Sequence, residues 1–406
     1  MTGSVAGAGE ADPTNPAESV PATSRQQWWH AARLAAPIWA ALTTVRYLVA
    51  ALTEYVVQPD HGRIAQGLVG LAKLPSNWDA SYFAAIARYG YFDEVHPPAI
   101  WQAFFPGYPM AMRAVSGALT FEVSEGRLQV AGAFISAVCS MIAAIVIFRL
   151  AENLGDARAG TCAVLMLMLW PSATFLTAAY SESLYLALAV GAWWNGQRGR
   201  WWWAGLLCAG ASFTRINGLF LVAGLLVMLI VRIARRQEPF RVHKVLAVGL
   251  GSAGTAVYLG YLWVVTGDPR AWQNAQREGW ARETIWPWDA LDNTLQAIRG
   301  IDDPLRQAQW IIDIGTAVFC LVAAGYMAYR RFWPELTVTM ITVGVLVSST
   351  NYLSIMRNTL TIFPLFVLGG GILARRPEWL TATLLTLSGV WMVATTALFT
   401  ISKWVG

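Results

Sequence analysis

Apolar runs as long as a lipid bilayer is thick recur along this chain, and they limit what it can fold into more than any other feature. Val130 to Leu150, Val245 to Val265, Ile311 to Tyr329 and Leu380 to Ile401 each approach the roughly 20 residues that a helix needs to cross the hydrocarbon core. Hydrocarbon offers backbone N–H and C=O groups no partner, so such runs must satisfy themselves as helices. Charge is correspondingly scarce: 13% of the 406 residues are charged and 56% are hydrophobic, whereas a soluble domain carries about 25% charged residues. The pattern predicts an all-α polytopic membrane protein of about ten to twelve transmembrane segments. The formal net charge of +5 is spread over short loops, where basic residues set topology. It is not the footprint of a nucleic-acid-binding protein.

Met1 to Ser24 is rich in Gly, Ala, Pro, Ser and Thr and is expected to be a disordered cytoplasmic tail. Residues 25–406 are expected to form one membrane domain. Arg25 and Arg33 precede the first span, so its N-terminus is expected in the cytoplasm and residues 58–102 outside. Within that loop, Trp78, Tyr82, Phe83, Ile86 and Tyr89 fall on one face of a short helix that could lie in the membrane interface, with Asp79 flanking the face. Pro97 and Pro98 close the region.

Trp201 to Ile233 is too long for one upright helix and contains Thr214-Arg215-Ile216-Asn217-Gly218, which predicts two passes meeting at a polar break. Arg232, Arg235, Arg236, Arg241 and Lys244 mark the next loop as cytoplasmic, and residues 266–309 form a second extracytoplasmic loop. Clean passes between Ala103 and Trp194 would leave Tyr180 to Ser183 on the cytoplasmic side. At least one segment there is therefore expected to be tilted, broken or interfacial, with breaks at Pro106, Pro109 or Pro171.

Cys139, Cys162, Cys208 and Cys320 lie in apolar runs without metal-ligand spacing, and the four histidines are scattered. No metal site is expected from them. Gly249-Leu250-Gly251-Ser252-Ala253-Gly254 lies inside an apolar span and predicts close helix packing rather than a nucleotide loop. Ionisable residues at membrane depth are costly and mark functional sites. Asp79, Glu182, Arg215 and Arg357 are the candidates. Each has a plainer reading: Asp79 as a helix N-cap, Glu182 as a solvated loop charge, and the arginines as snorkelling side chains.

The order of the polar stretches is more specific. Trp78-Asp79, Ile86-Ala87 and Gly90-Tyr91 are followed by Ala103-Phe104-Phe105-Pro106-Gly107-Tyr108-Pro109. Then come Pro171, Ala179-Tyr180-Ser181-Glu182-Ser183-Leu184, Arg215-Ile216-Asn217-Gly218-Leu219, and Arg357 with Phe363-Pro364-Leu365. In these stretches the chain resembles the PIG-V family of lipid-linked-mannose-dependent mannosyltransferases. It departs from the family's pattern in having Ala80 and Ser81 after the aspartate, where glycine is frequent. Its shorter length and Pro/Ala-rich tail are bacterial in style.

The resemblance implies a GT-C fold and a membrane enzyme that moves mannose from polyprenyl-phosphate mannose to a lipid or glycolipid acceptor on the extracytoplasmic face, with inversion. It implies Asp79 as general base, with Glu182 as a second catalytic carboxylate that orients the sugar or helps position Asp79. Arg357 and Arg215 would offset charge on the leaving phosphate. Trp78, Tyr82, Arg88, Tyr108, Tyr180 and Asn217 are the further candidates for substrate binding. No cofactor or metal is required, because no nucleotide diphosphate leaves. A transporter or flippase of a lipid-linked sugar is the alternative, since broken helices with charged residues at the breaks also suit transport. Polar groups at one face favour the enzyme; polar groups at the midplane favour the transporter. An acyl- or phosphotransferase is unsupported, for want of an HxxxD pair or paired histidines.

Overall fold

The computed structural model of the chain describes residues 24–57, 63–92, 99–120 and 124–405. Residues 1–23 of the expected tail, with Pro97 and Pro98, lie outside them, and Ser24 opens the first helix. Every element of regular structure described is helical: α1 Ser24–Val57, α2 Arg63–Ser76, α3 Asp79–Tyr89, α4 Gly107–Thr120, α5 Glu125–Glu152 and α6 Ala157–Met168 come first. There follow α7 Ser181–Gln197, α8 Trp201–Thr214, α9 Asn217–Ala234, α10 Val242–Gly249, α11 Ala253–Thr266, α12 Ala271–Trp280 and α13 Pro287–Gly300. The last are α14 Pro304–Tyr329, α15 Trp333–Val347, the short α16 Ile355–Asn358, α17 Phe363–Ala374 and α18 Glu378–Thr400.

Among the described residues, six helices, counting α10 and α11 as one, are long and apolar enough to cross a membrane, and α16 with α17 makes a seventh bent by 82°. The chain is a multi-pass membrane protein. The other passes use helices too short to cross alone, including α6 and α15; a 12-residue helix is only about 18 Å long. Short and irregular chain completes them, as between α6 and α7, where residues 171–180 are bent but buried.

One end of the bundle is basic. There Arg149, at the end of α5, reaches Gln27 at the start of α1 (2.7 Å) and lies against the rings of Trp28 and Trp194. Glu238 accepts from Trp201 Nε1 (2.7 Å) and Arg232 Nε (3.0 Å) and pairs with Lys244 (2.9 Å). Burial raises its pKa, but these donors outweigh burial and hold the carboxyl below its ordinary value.

The opposite end holds the breaks. Trp78, between α2 and α3, has φ +56°, a left-handed conformation that costs a bulky residue about 1–3 kcal/mol. The Asn77 amide holds it by donating to the last carbonyls of α18, Phe399 O (2.8 Å) and Thr400 O (3.1 Å). α3 forms where a helix was expected, but its buried face is Asp79, Ala80, Phe83, Ala84, Ile86 and Ala87, packed on the protein. Trp78 is exposed, and Tyr82 and Tyr89 are only partly buried. α3 thus packs its small and acidic side on the protein and leaves Trp78, with parts of Tyr82 and Tyr89, turned outward.

α4 resolves the parity conflict. Tyr108, at its start, donates to Gly132 O (2.8 Å) and meets Ser136 Oγ (2.9 Å), well inside α5. α4 then runs back to the beginning of α5, which lies five residues past its end. The two are an antiparallel hairpin, and α4 does not cross. Tyr180 therefore lies at the same end as Asp79, contrary to clean alternation.

The predicted break between α8 and α9 falls at Arg215-Ile216. The glycine run packs as expected: a Cβ on Gly251 would come within 2.8 Å of Cys208 Sγ, and one on Gly254 would collide with Ala209 O and Phe213 N. α10 and α11 approach α8 that closely only without side chains there.

Candidate active site

Four charged side chains from distant parts of the chain meet at the end of the bundle opposite the basic loops. α3 contributes Asp79 at its first residue, α7 Glu182 in its first turn, and the break after α8 Arg215. α16, in the bend before α17, contributes Arg357. The Arg357 guanidinium spans both carboxylates: Nη1 donates to Asp79 Oδ2 (2.8 Å) and Nε to Glu182 Oε1 (2.7 Å). Arg215 pairs with the same Glu182 oxygen (3.0 Å) and donates to Ser181 Oγ (2.9 Å) and Asn358 Oδ1 (3.0 Å). Buried charges persist only when paired, and two acids against two arginines leave this cluster formally neutral.

Asp79 does not cap α3. Trp78 is the capping residue, with no side-chain cap bond. The backbone N–H of Asp79 donates instead to the Tyr180 hydroxyl (3.0 Å), which donates to Asn77 O (3.1 Å). The rings of Phe175 and Tyr180 each lie 4.7 Å from the Arg357 guanidinium carbon, a cation–π arrangement. Asp313, a carboxylate inside apolar α14, accepts from the N–H groups of Ser354 (3.0 Å) and Met356 (2.8 Å). It fixes the turn that presents Arg357, including Ser354 at φ +63°.

This cluster floors a cavity of about 600 Å3. Asp79, Arg215, Asn217, Arg357 and Trp404 line it from below, and α12 with the following loop roofs it through Trp272, Arg277, Trp280 and Arg282. Five arginines line the cavity (Arg215, Arg270, Arg277, Arg282, Arg357) against the carboxylates of Asp79 and Glu283. Counting Glu182 beneath the floor, two positive charges are left over, so the cavity favours an anion.

Asp79, Arg215, Asn217 and Arg357 thus share one cavity. Glu182 is 1% exposed and sits beneath them, touching both arginines. Tyr180 is fully buried behind Asp79. Tyr108 is buried against α5, Tyr82 packs on Phe104, Trp78 packs on Trp404, and Arg88 pairs with Glu125 at 3.6 Å. None of these last four lines the cavity. Sequence reasoning missed Asp313, Arg282 and Trp404. Asp313 was the findable one, as an acid embedded in an apolar run; the other two sit among polar or terminal residues that carry no comparable signal.

Fold and site together define a multi-pass membrane protein with a buried ion-paired cluster opening into a cationic cavity at one end. The chain belongs to the mannosyltransferase (PIG-V) family, whose model matches residues 38–253, more than half of it. With that membership, the GT-C-like architecture implied by the resemblance stands. GPI alpha-1,6-mannosyltransferase 2 from Rattus norvegicus is 37% identical over 159 residues, which cover 37% of this chain and 31% of that protein. The Homo sapiens protein of the same name is 34% identical over 172 residues, 41% of this chain and 34% of the relative. The chain thus spans about a third of the length of the curated relatives it matches.

Among solved structures, ArnT from Cupriavidus metallidurans bound to undecaprenyl phosphate matches over 90% of this chain and 74% of its own, at 14% identity and TM-score 0.49. The oligosaccharyltransferase AglB from Archaeoglobus fulgidus matches over 95% and 57%, at 11% identity and TM-score 0.47. Overlays of that degree carry no residue-level inference.

Proposed function

We propose that this protein transfers mannose from polyprenyl-phosphate mannose to a lipid or glycolipid acceptor at the extracytoplasmic face of the cell membrane, with inversion at the anomeric carbon. One observation supports this above the others: Asp79 lines the cavity with Oδ2 held by Arg357, while Oδ1 makes no hydrogen bond among the described residues. A fixed carboxylate with one free oxygen suits a general base.

In the proposed reaction the acceptor hydroxyl attacks the anomeric carbon and gives its proton to Asp79. The bond from that carbon to the phosphate oxygen breaks, and its electron pair stays on the phosphate. The phosphodiester becomes a monoester with one more negative charge, which the cationic cavity offsets. Arg357 orients Asp79, Glu182 anchors both floor arginines, and Asn217 with Trp404 completes the wall on the sugar side. No cofactor enters this reaction. The charged groups sit at helix ends on one side of the bundle rather than halfway along intact helices, which favours the enzyme over the transporter.

The test is incubation of the purified protein with polyprenyl-phosphate mannose and a membrane lipid extract, followed by mass spectrometry of the products. A hexose-extended lipid is expected with the wild type. Asp79→Asn keeps size and an acceptor oxygen for Arg357 but leaves one positive charge of the cluster unmatched, so it is expected to lower Tm and, in the folded protein, to lose about 10²- to 10⁴-fold in rate. Near wild-type turnover by Asp79→Asn would remove the base from this position.

A further inference from the structure

The floor arginines cannot by themselves meet the charge that the proposed transfer creates, because Asp79 and Glu182 already neutralise them. The roof differs. Arg282 faces the cavity from the loop after α12, and its guanidinium makes no ion pair or hydrogen bond among the described residues; its one aromatic neighbour, Trp280, is 6.0 Å away. The charged groups that act on it are Arg357, Asp79 and Arg215, which line the same cavity, and Asp313 behind them. Burial, then repulsion from Arg357, pushes its pKa down to about 10. Of the other roof arginines, Arg277 is engaged by Asn274 at 3.1 Å, and Arg270 and Arg277 are both more exposed.

Arg282 is also held in place. Ala281, before it, has φ +50°, a left-handed turn that a non-glycine residue adopts only when its surroundings hold it. The Thr350 hydroxyl does so from both flanks, donating to Ala281 O (2.7 Å) and accepting from Glu283 N–H (2.8 Å). Beyond it, Ile285 N–H donates to Ser348 O (2.9 Å). A lone surface arginine needs no such clamp.

We propose that Arg282 is the phosphate-binding residue of the site: it holds the lipid-linked phosphate of the donor and of the departing product, with Thr350 as its positioning residue. This rests on the reading of the site as a lipid-phosphate-sugar transferase. It places the lipid phosphate at the roof of the cavity and the attacking hydroxyl at the floor, beside Asp79.

Calorimetric titration of the detergent-solubilised full chain tests it, with farnesyl phosphate as the probe and farnesol and inorganic phosphate as comparisons. The wild type is expected to bind farnesyl phosphate in preference to both. Arg282→Gln is expected to bind it about 10- to 100-fold more weakly, the loss of one charge-assisted contact. Arg282→Lys is expected to lie between, and Thr350→Val, which keeps the guanidinium but frees its flanks, is expected to weaken binding several-fold.

Equal farnesyl phosphate affinity in Arg282→Gln and wild type would overturn the assignment and leave the transferase reading intact. Inorganic phosphate binding as tightly as farnesyl phosphate would mark a free-anion site and overturn it too. A wild type that does not distinguish farnesyl phosphate from farnesol would defeat the transferase reading itself. Should Arg282→Gln not fold, unchanged affinity in Thr350→Val would count against the proposal.

Discussion

A single guanidinium joins the two acids of the site, so Arg357 sets geometry as much as it supplies charge. The sequence suggested that Arg357 serves the donor phosphate. In the structure its Nε and Nη1 are spent on Glu182 and Asp79, so its removal first misplaces the base. Lysine is a single point donor without the planar fork and cannot span both carboxylates in this way. Arg357→Lys is therefore expected to lose about 10- to 100-fold in kcat, with a smaller change in donor KM. Removing one partner of a buried pair costs about 3–5 kcal/mol, so Arg357→Ala is expected to be poorly folded, and steady-state kinetics on Arg357→Lys are the cleaner measurement. A donor KM that rises while kcat holds would restore the phosphate role to Arg357.

Among the elements, spans with strong composition were legible in the sequence, and packing relationships were not. The break at Arg215, the outward span before residue 266 and the carboxylates at positions 79 and 182 could be seen because polar residues interrupt long apolar runs. The α4–α5 hairpin was not visible, because a 14-residue apolar helix reads the same whether it crosses or folds back. The buried face of α3 was also misjudged: aromatic rings dominate a periodicity argument, but Ala80, Ala84 and Ala87 are what let α3 approach the bundle. Arg282 was hidden for the opposite reason, being one charge among many in a polar segment.

Helix approach itself is testable. Gly254→Ala must push α11 off the α8 backbone and is expected to cost about 1–3 kcal/mol, read as a lowered Tm in detergent. Gly249→Ala, with nothing within 4 Å of the new methyl, is expected to leave Tm unchanged or raise it. Equal effects of the two would mean that α10 and α11 do not pack on α8 as described.

At the scale of the whole molecule, the basic loops and the ion-paired cluster mark opposite ends. If the cluster faces outward, an impermeant maleimide should label Trp286→Cys in intact cells and label Arg236→Cys only after permeabilisation. Labelling of both from one side would break the proposed topology. The cluster also has a consequence for how the chain is made. Arg215 follows Ser181 by 34 residues and Glu182 by one fewer, so the two charges can pair soon after both emerge from the ribosome. Asp79 waits for Arg357, 278 residues later. Until residue 357 has been made, Asp79 lacks the guanidinium that holds its carboxylate in the folded chain. A substitution at residue 357 therefore prolongs an immature state open to quality control, and cellular abundance should fall before any assay of the purified enzyme can be run.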